Sequence, residues 1–429
     1  MDNIRSILSS SVSNVIAWYE YTLYAYFATV ISDLFFPDTN RYIATMLTFA
    51  TFAIGLIARP IGGIVFGYLS DRYSRKKILT LTTILMSATT LGIGLLPTYR
   101  QIGVLAPVCL FGLRIAQEFA LGGCFGLSCV YLYESVTADK RGFLGCIAIT
   151  GVGLGLILSV CTTLIIEMFV SLEMLYAFAW RIPFFISIVG ALVGFYMHKF
   201  LVETTDFVVA KKNTTSAHPF LEMIKCHKLT LLRLFAIYIS TQTSFFVVFI
   251  FGKTMMIRFL GYDNSVASKL NLLAIASYTL ATVFFGYLSD KINKRYIIIF
   301  GSSGILLLAY PFVNSLKMEA FPLILMLSIF MGMLMGMMVV LGPLTSESFP
   351  THIRTTGVAF SCNFTAVVFG GVSPVIAMHL INYFGDIVAV AYYLMATCLI
   401  TVIVTASYFF GLESNKKSGC EFGTPDDAE

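Results

Sequence analysis

Charge is scarce in this chain of 429 residues: only 12% are Asp, Glu, Lys or Arg, against 58% hydrophobic residues and a mean hydropathy of +0.85. An ordinary soluble domain carries about twice that charge, so water is excluded as the main solvent. Histidine is also rare, with five residues and no HExxH or other metal-ligand spacing among them, which argues against a metal site. No motif brings a nucleophile, a base and an electrophile together, so enzyme chemistry and a cofactor are not expected. The basic residues are spread through the polar connections rather than gathered on one face, which argues against a nucleic-acid partner. The nine cysteines fall inside apolar runs except Cys226 and Cys420, so they read as small packing residues and not as a disulfide framework.

What the chain does have is a series of apolar runs near 20 residues long, the length of helix that crosses a bilayer. About twelve spans are expected. The first six cover residues 11–36, 43–69, 78–97, 104–133, 143–170 and 180–200, and the other six 229–252, 266–288, 296–315, 321–345, 356–383 and 387–411. Barrel strands would show ten-residue alternation of apolar and polar residues, which these unbroken runs lack. The fold class is therefore an all-α membrane protein, with the lipid bilayer as its main partner. Trp18, Glu20 and neighbouring tyrosines interrupt the apolar stretch that a cleavable signal requires, so the first span is expected to stay in the protein. With the N-terminus in the cytoplasm, 19 of the 28 Lys and Arg lie on that side and 7 on the other, with Arg59 and Arg114 inside spans. The positive-inside rule then places both termini in the cytoplasm.

GYLSDRYSRKK, beginning at Gly67, and GYLSDKINKR, beginning at Gly286, lie 219 positions apart, each where the second span of a six-span half ends. Glu134 precedes Arg141 by seven residues after the fourth span, and Glu347 precedes Arg354 by seven after the tenth. Two landmarks in matching order indicate a duplicated plan: six-helix units over residues 1–201 and 229–411, a polar cytoplasmic linker over 202–228, and a polar tail over 412–429. The NTT at Asn213 fits a glycosylation acceptor but falls on the cytoplasmic side.

Two parallel six-helix halves are the plan of many secondary transporters, and the motifs resemble one superfamily of them. GYLSDRYSRKK resembles the G-x-x-x-D-R-x-x-R-K signature of the major facilitator superfamily, with the Gly286 copy as a weaker echo. LRIAQ, holding Arg114 and Gln117, resembles its fourth-span R-x-x-Q-G. NVIAWYEYTLY at Asn14, ARPIGG at Ala58, AWRIPF at Ala179, ESFPTHIRTTG at Glu347 and FGGVSP at Phe369 are similar to segments of its metabolite:proton symporter branch, which includes proline/betaine transporters. VETTDF at Val202 resembles that branch's E-x-P-x-F more than the P-E-S-P-R of sugar porters. The chain departs from the branch at Ala17, where an acid is usual, and at Glu20, where Asp is usual. It also has Glu118 in place of a Gly, and Gly122, Gly123 and Cys124 where the branch has Gly-Gly-Glu.

Asp71 is placed at the C-terminal end of a helix, the negative end of its dipole, and needs compensation there. Arg75, one turn on, offers it. The superfamily resemblance implies a second partner, a helix N-terminus of the other half, and hence a latch across the cytoplasmic face. Gly67, Asp71, Arg72, Arg75, Glu134 and Arg141, with Gly286, Asp290, Glu347 and Arg354, are the gating candidates; a plain topology signal accounts for the Lys and Arg but not for the Asp.

Charges inside spans each cost about 2.5–3.5 kcal/mol at a helix centre and usually face a cavity or a partner. Glu20, Arg59, Arg114 and Glu118 are such charges, and Arg114, Gln117 and Glu118 share one helical face, so an Arg114–Glu118 pair is geometrically possible. These five are candidates for proton coupling or substrate contact, with a purely structural pair as the bland alternative. Trp18 and Tyr24 in the first span, Tyr238 and Gln242 in the seventh and Asn363 in the eleventh are candidates for a cavity wall, where aromatic faces suit a cationic ligand; interfacial belts and ordinary packing also use such residues. The glycine pairs 63 and 67, 122 and 126, 151 and 155, and 332 and 336 read as close helix packing. Together the residues and the resemblance point to a proton-driven symporter of a small polar organic solute in the bacterial plasma membrane. The solute is a proline- or betaine-type zwitterion, or alternatively a di- or tricarboxylate or shikimate-type acid. A sensor that kept a transporter fold without transporting is the alternative from another class.

Overall fold

The computed structural model describes residues 2–37, 48, 51, 55–135, 141–204, 206–209 and 219–411. The start of the expected second span, Asn213 with most of the linker's polar stretch, and the tail with Cys420 lie outside them.

In hydrocarbon a backbone must satisfy its own N–H and C=O groups, and an apolar run does so as a helix. The helices are α1 (Asp2–Tyr26), α2 (Ala28–Phe35), α3 (Ala58–Arg72), α4 (Arg75–Leu95), α5 (Leu105–Glu134), α6 (Arg141–Phe169) and α7 (Ser187–Phe200) in the first half. After the short α8 (Pro219–Cys226) come α9 (Lys228–Leu260), α10 (Asn264–Leu288), α11 (Lys294–Lys317), α12 (Phe321–Glu347), α13 (Thr351–Phe384) and α14 (Ala389–Gly411). Among the described residues ten helices are long and apolar enough to cross a membrane. The first expected span is α1 and α2, interrupted at Phe27, and α3 is the described end of the second.

The helices outrun the apolar runs at several ends. α9 continues to Leu260 where the span was expected to stop at residue 252, and α13 begins at Thr351 rather than 356. Amphipathic end turns continue the hydrogen-bond ladder without adding apolar residues, so hydropathy alone misses them. The linker was expected to be only a polar connection. Instead, α8 forms within it because Phe220 and Met223, three apart, share one face: Met223 is buried and Phe220 packs on Phe360 of α13.

Among the described residues two helices carry a π turn, Phe245–Phe251 in α9 and Ala366–Gly371 in α13. Such turns widen a helix and are frequent at functional sites.

Two seams join the halves: α3 and α5 pack against α13, and α6 packs against α10. Glycines set both distances. A Cβ at Gly67 would sit 2.9 Å from Thr356 Cα, and one at Gly126 2.7 Å from Ala359 Cα, so α13 can approach only because those positions are bare. On the other seam, a Cβ at Gly286 would sit 2.9 Å from the Cβ of Cys146 on α6.

Candidate functional site

The duplicated GYLSD segments meet the other half in the same way. Asp71, at the end of α3, accepts hydrogen bonds from the backbone N–H of Thr355 (3.2 Å) and Thr356 (2.9 Å), in the first α-helical turn of α13, and from the Thr356 hydroxyl (2.8 Å). Asp290, just beyond α10, accepts from the backbone N–H of Gly142 (2.7 Å) and Phe143 (3.0 Å), in the first turn of α6. Each carboxylate leaves the unfavourable end of its own helix and supplies the charge that the unpaired N–H groups of another helix attract. The glycine of each copy lets the seam close and the Asp of each copy bonds across it. That pairing of roles explains why the segment is written twice.

Around Asp71 the closure is reinforced by buried charge. Arg75 lies 3.0 Å from Asp71 and 2.6 Å from Glu134, and donates to the carbonyl of Thr351 at 3.1 Å. Glu134 also accepts from Arg354 at 2.8 Å and from the Thr204 hydroxyl at 2.8 Å. Arg141 pairs with Asp206 at 2.7 Å, and Glu347 with Lys294 at 2.8 Å. Arg72, also named as a gating candidate, is exposed and packs on the rings of Tyr68 and Tyr73, away from this network. Glu203, Asp206 and Lys294 were not among the sequence candidates. The signal for Lys294 was present, because it stands 219 positions after Arg75, the offset of the GYLSD copies. Glu203 accepts from the Ser74 hydroxyl (2.6 Å) and the Arg75 N–H (3.1 Å), capping α4.

Deeper in the bundle lies the second cluster. Glu118 is held between two arginines: Arg59 Nε donates at 2.9 Å, and Arg114 Nη2 at 2.6 Å. The ring of Tyr21 lies beneath Arg59 and that of Tyr24 beneath Arg114, each 4.6 Å from the guanidinium carbon. Gln117 accepts from Arg114 and donates to the Thr90 hydroxyl at 2.6 Å. Among the described residues this buried group brings together two cations and one carboxylate. Glu20 stands apart from it: Ser87 donates to one carboxylate oxygen at 2.7 Å, and the other oxygen has no hydrogen-bond partner among the described residues.

Between the halves is a cavity of about 80 Å³. Trp18, Arg59, Tyr238, Gln242 and Asn363 of the sequence candidates line it, with Phe125, Phe245 and Tyr278. Trp18 meets Phe245 and Phe125 edge-on, at centroid distances of 5.5 and 5.7 Å. Asn363 donates to the Gly122 carbonyl at 2.7 Å, and the Tyr238 hydroxyl lies 3.0 Å from that of Thr345. Arg59 is the one charged side chain on the wall among the described residues. Tyr24, named for the wall, is absent from it and covers Arg114 instead; Glu20, Arg114, Gln117 and Glu118 are also set back from the cavity. Helical spacing groups residues on a face but does not say which neighbour that face meets. Among the described residues no group of His, Cys, Asp and Glu is arranged to hold a metal ion.

Comparison with known proteins gives consistent relatives. Residues 7–229 match the family model described as Sugar (and other) transporter, and residues 234–423 the one described as Major Facilitator Superfamily. The chain is 32% identical to the shikimate transporter of Escherichia coli strain K12, covering 93% of each chain. It is 30% identical to the proline/betaine transporter of Salmonella typhimurium strain LT2, over 94% of this chain and 83% of that one. Among solved structures, the proton:xylose symporter XylE bound to 6-bromo-6-deoxy-D-glucose superposes with a TM-score of 0.79 at 17% identity, covering 96% of this chain and 95% of that one. The partially occluded inward-open form of XylE from E. coli gives 0.75 at 16% identity, covering 97% and 99%. At that identity the likeness is one of fold.

Proposed function

As the chain belongs to the major facilitator superfamily, we propose that it is a proton-coupled symporter that imports a small organic solute with a carboxylate group by alternating access in the plasma membrane, both termini facing the cytoplasm. The observation that carries this reading is the wall of the central cavity, with one cation, Arg59, among aromatic rings and neutral amides. A carboxylate pairs with Arg59, and Trp18, Phe125, Phe245 and Tyr278 give a trimethylammonium or pyrrolidinium end the ring faces that attract it. A proline- or betaine-type zwitterion therefore fits best. Gln242, Asn363 and Tyr238 favour a second reading, a shikimate-type acid whose hydroxyl groups they would bind. In both, the closed GYLSD face is the cytoplasmic one, and opening it breaks the Asp71 and Asp290 bonds.

For the proton, Glu20 is the better carrier. A proton on Glu118 would remove the negative charge that both Arg59 and Arg114 pair with, an imbalance of several kcal/mol. Glu20 is held by a neutral hydroxyl and strands no cation when it is protonated. Uptake of L-proline, glycine betaine and shikimate in proteoliposomes, with and without a pH gradient, tests the reading. Arg59→Gln is expected to abolish uptake of whichever solute is carried. Glu20→Gln is expected to keep solute exchange and lose gradient-driven accumulation. Glu118→Gln is expected to lower the amount of folded protein, with partial recovery in Glu118→Gln, Arg114→Gln. Accumulation retained by Glu20→Gln overturns the assignment of the proton.

A further inference from the structure

The neutral polar groups on the wall of the central cavity are not interchangeable, because several have already committed their hydrogens to the protein. Asn363, on α13, puts its amide nitrogen into a notch of the first half. The nitrogen donates to the Gly122 carbonyl at 2.7 Å, and a Cβ at Gly63 would lie 2.8 Å from it. Turned the other way, the amide would set its oxygen against the Gly122 carbonyl oxygen, two acceptors with no hydrogen between them. The orientation is therefore fixed, with the nitrogen in the notch and Oδ1 on the side left to the cavity that Asn363 lines.

Gln242, on α9, repeats the arrangement. Its amide nitrogen lies 3.5 Å from the carbonyl oxygen of Cys362 and 3.9 Å from the Cys362 sulfur, so Oε1 is its free end. Among the described residues no group donates to either amide oxygen. Tyr238 is committed in the same sense. Thr345 gives its hydroxyl hydrogen to the Leu341 carbonyl at 2.6 Å, so in the 3.0 Å contact between the two hydroxyls it is Tyr238 that donates. Its phenolic oxygen then offers only lone pairs. The first half presents the opposite. Arg59 has donors alone, and so has the indole N–H of Trp18, which is without a hydrogen-bond partner among the described residues. The hydroxyls of Thr241 and Ser244, also on the wall, can turn either way. The cavity thus sets donors from α1 and α3 against acceptors from α9 and α13.

We propose that Asn363 and Gln242 form an acceptor face that selects solutes with N–H or O–H groups at the end opposite the carboxylate. This deepens the transport reading above and rests on it for the carboxylate at Arg59. It narrows the solute to an amino acid with a primary or secondary ammonium group, or to a hydroxylated acid. L-proline and shikimate have such donors, whereas glycine betaine has none. A trimethylammonium group is still attracted to the aromatic rings, but its methyl groups would cover the two amide oxygens and leave them buried without a hydrogen bond. A site built around polar groups rejects an analogue that leaves them unpaired far more strongly than an apolar pocket rejects a changed methyl group.

The test uses pairs of solutes that share a carboxylate and differ in their donors: L-proline with N,N-dimethyl-L-proline, glycine with glycine betaine, and shikimate with cyclohex-1-ene-1-carboxylate. Binding to the purified protein is measured by calorimetry, and uptake in proteoliposomes. In the unaltered protein the donor-bearing member of the recognised pair is expected to bind at least about tenfold more tightly. Gln242→Leu and Asn363→Leu are each expected to bring that ratio to within about twofold of one, by weakening the donor-bearing member alone. A purely structural role would weaken both members equally and leave the ratio unchanged. Asn363→Leu also removes a bond between the halves, so if it fails to fold, Gln242→Leu and the ratio in the unaltered protein decide the matter. A ratio near one there, with uptake retained, overturns the acceptor face and leaves the transport reading standing. A high ratio without accumulation in proteoliposomes upholds the face and overturns the transport reading, and binding of no member of any pair overturns both.

Discussion

The two copies of the GYLSD segment do the same job with unequal means. The side chain of Asp71 is fully buried, and with its neighbours it forms a chain of alternating charge, Asp71, Arg75, Glu134 and Arg354, that crosses from one half to the other. Asp290 is exposed and binds the end of α6 through backbone N–H groups. The position that matches Arg75 is Lys294, which reaches Glu347, the counterpart of Glu134. A planar guanidinium has donors enough for two carboxylates and a carbonyl at once, whereas an ammonium group is a point charge at the end of a flexible stem. The first seam is therefore held by a charge network in a dry interior, and the second by a helix terminus in contact with water. Among the described residues the linker helix adds to the first alone: Glu222 of α8 meets His352 at 2.8 Å, three residues before Thr355, whose N–H bonds Asp71.

If burial makes the difference, the largest effect belongs to Asp71→Asn. The amide cannot satisfy two N–H groups, a hydroxyl and a guanidinium together, and it leaves Arg75 paired with Glu134, which Arg354 also uses. Removing one partner of a buried charged group costs about 3–5 kcal/mol, and here the cost falls on the closed form of the seam between α3 and α13. Uptake at equal surface expression is expected to fall at least tenfold, with insertion and folding retained. Unchanged uptake would reduce Asp71 to a topology signal.

Asp290→Asn is the matched experiment. The amide oxygen can still accept from Gly142 or Phe143, and water reaches whatever is lost, so a two- to threefold fall in uptake is expected. A fall as large as that of Asp71→Asn would show that helix capping alone holds each seam and that the buried network is incidental.

The repeat was legible because five identical residues and a fixed offset survive in both halves. The partner of Asp71 was also within reach, since a carboxylate at the wrong end of a helix dipole calls for compensation. The arrangement around Glu118 was only half legible. Spacing of i, i+4 pointed to Arg114, but Arg59 lies on another helix, 59 positions away in sequence, and nothing local connects the two. The place of Tyr24 was open for the same reason: α1 touches α5, α6 and α7, so a residue on its aromatic face can meet any of them. The linker helix was hidden by composition, because two apolar residues in a polar stretch are enough to dock a short helix and too few to mark a span.

The smallest effect is expected from making the second seam more like the first. Lys294→Arg gives α11 a planar fork at the position of Arg75. From there it can keep Glu347 and also reach Asp290, four residues before it, as Arg75 reaches Asp71. The pair stays partly exposed, where a new ion pair adds only about 0.2–1 kcal/mol. Less than a fivefold shift toward the closed seam is therefore expected. That shift is read as slower labelling of a cysteine placed in the seam beside the GYLSD turn, and as uptake reduced by less than half. In Asp290→Asn the same Lys294→Arg change is expected to have no effect, since the added donor has lost its acceptor. If the labelling rate falls equally in both backgrounds, the arginine acts through Glu347 alone, and the likeness between the seams ends at the helix caps.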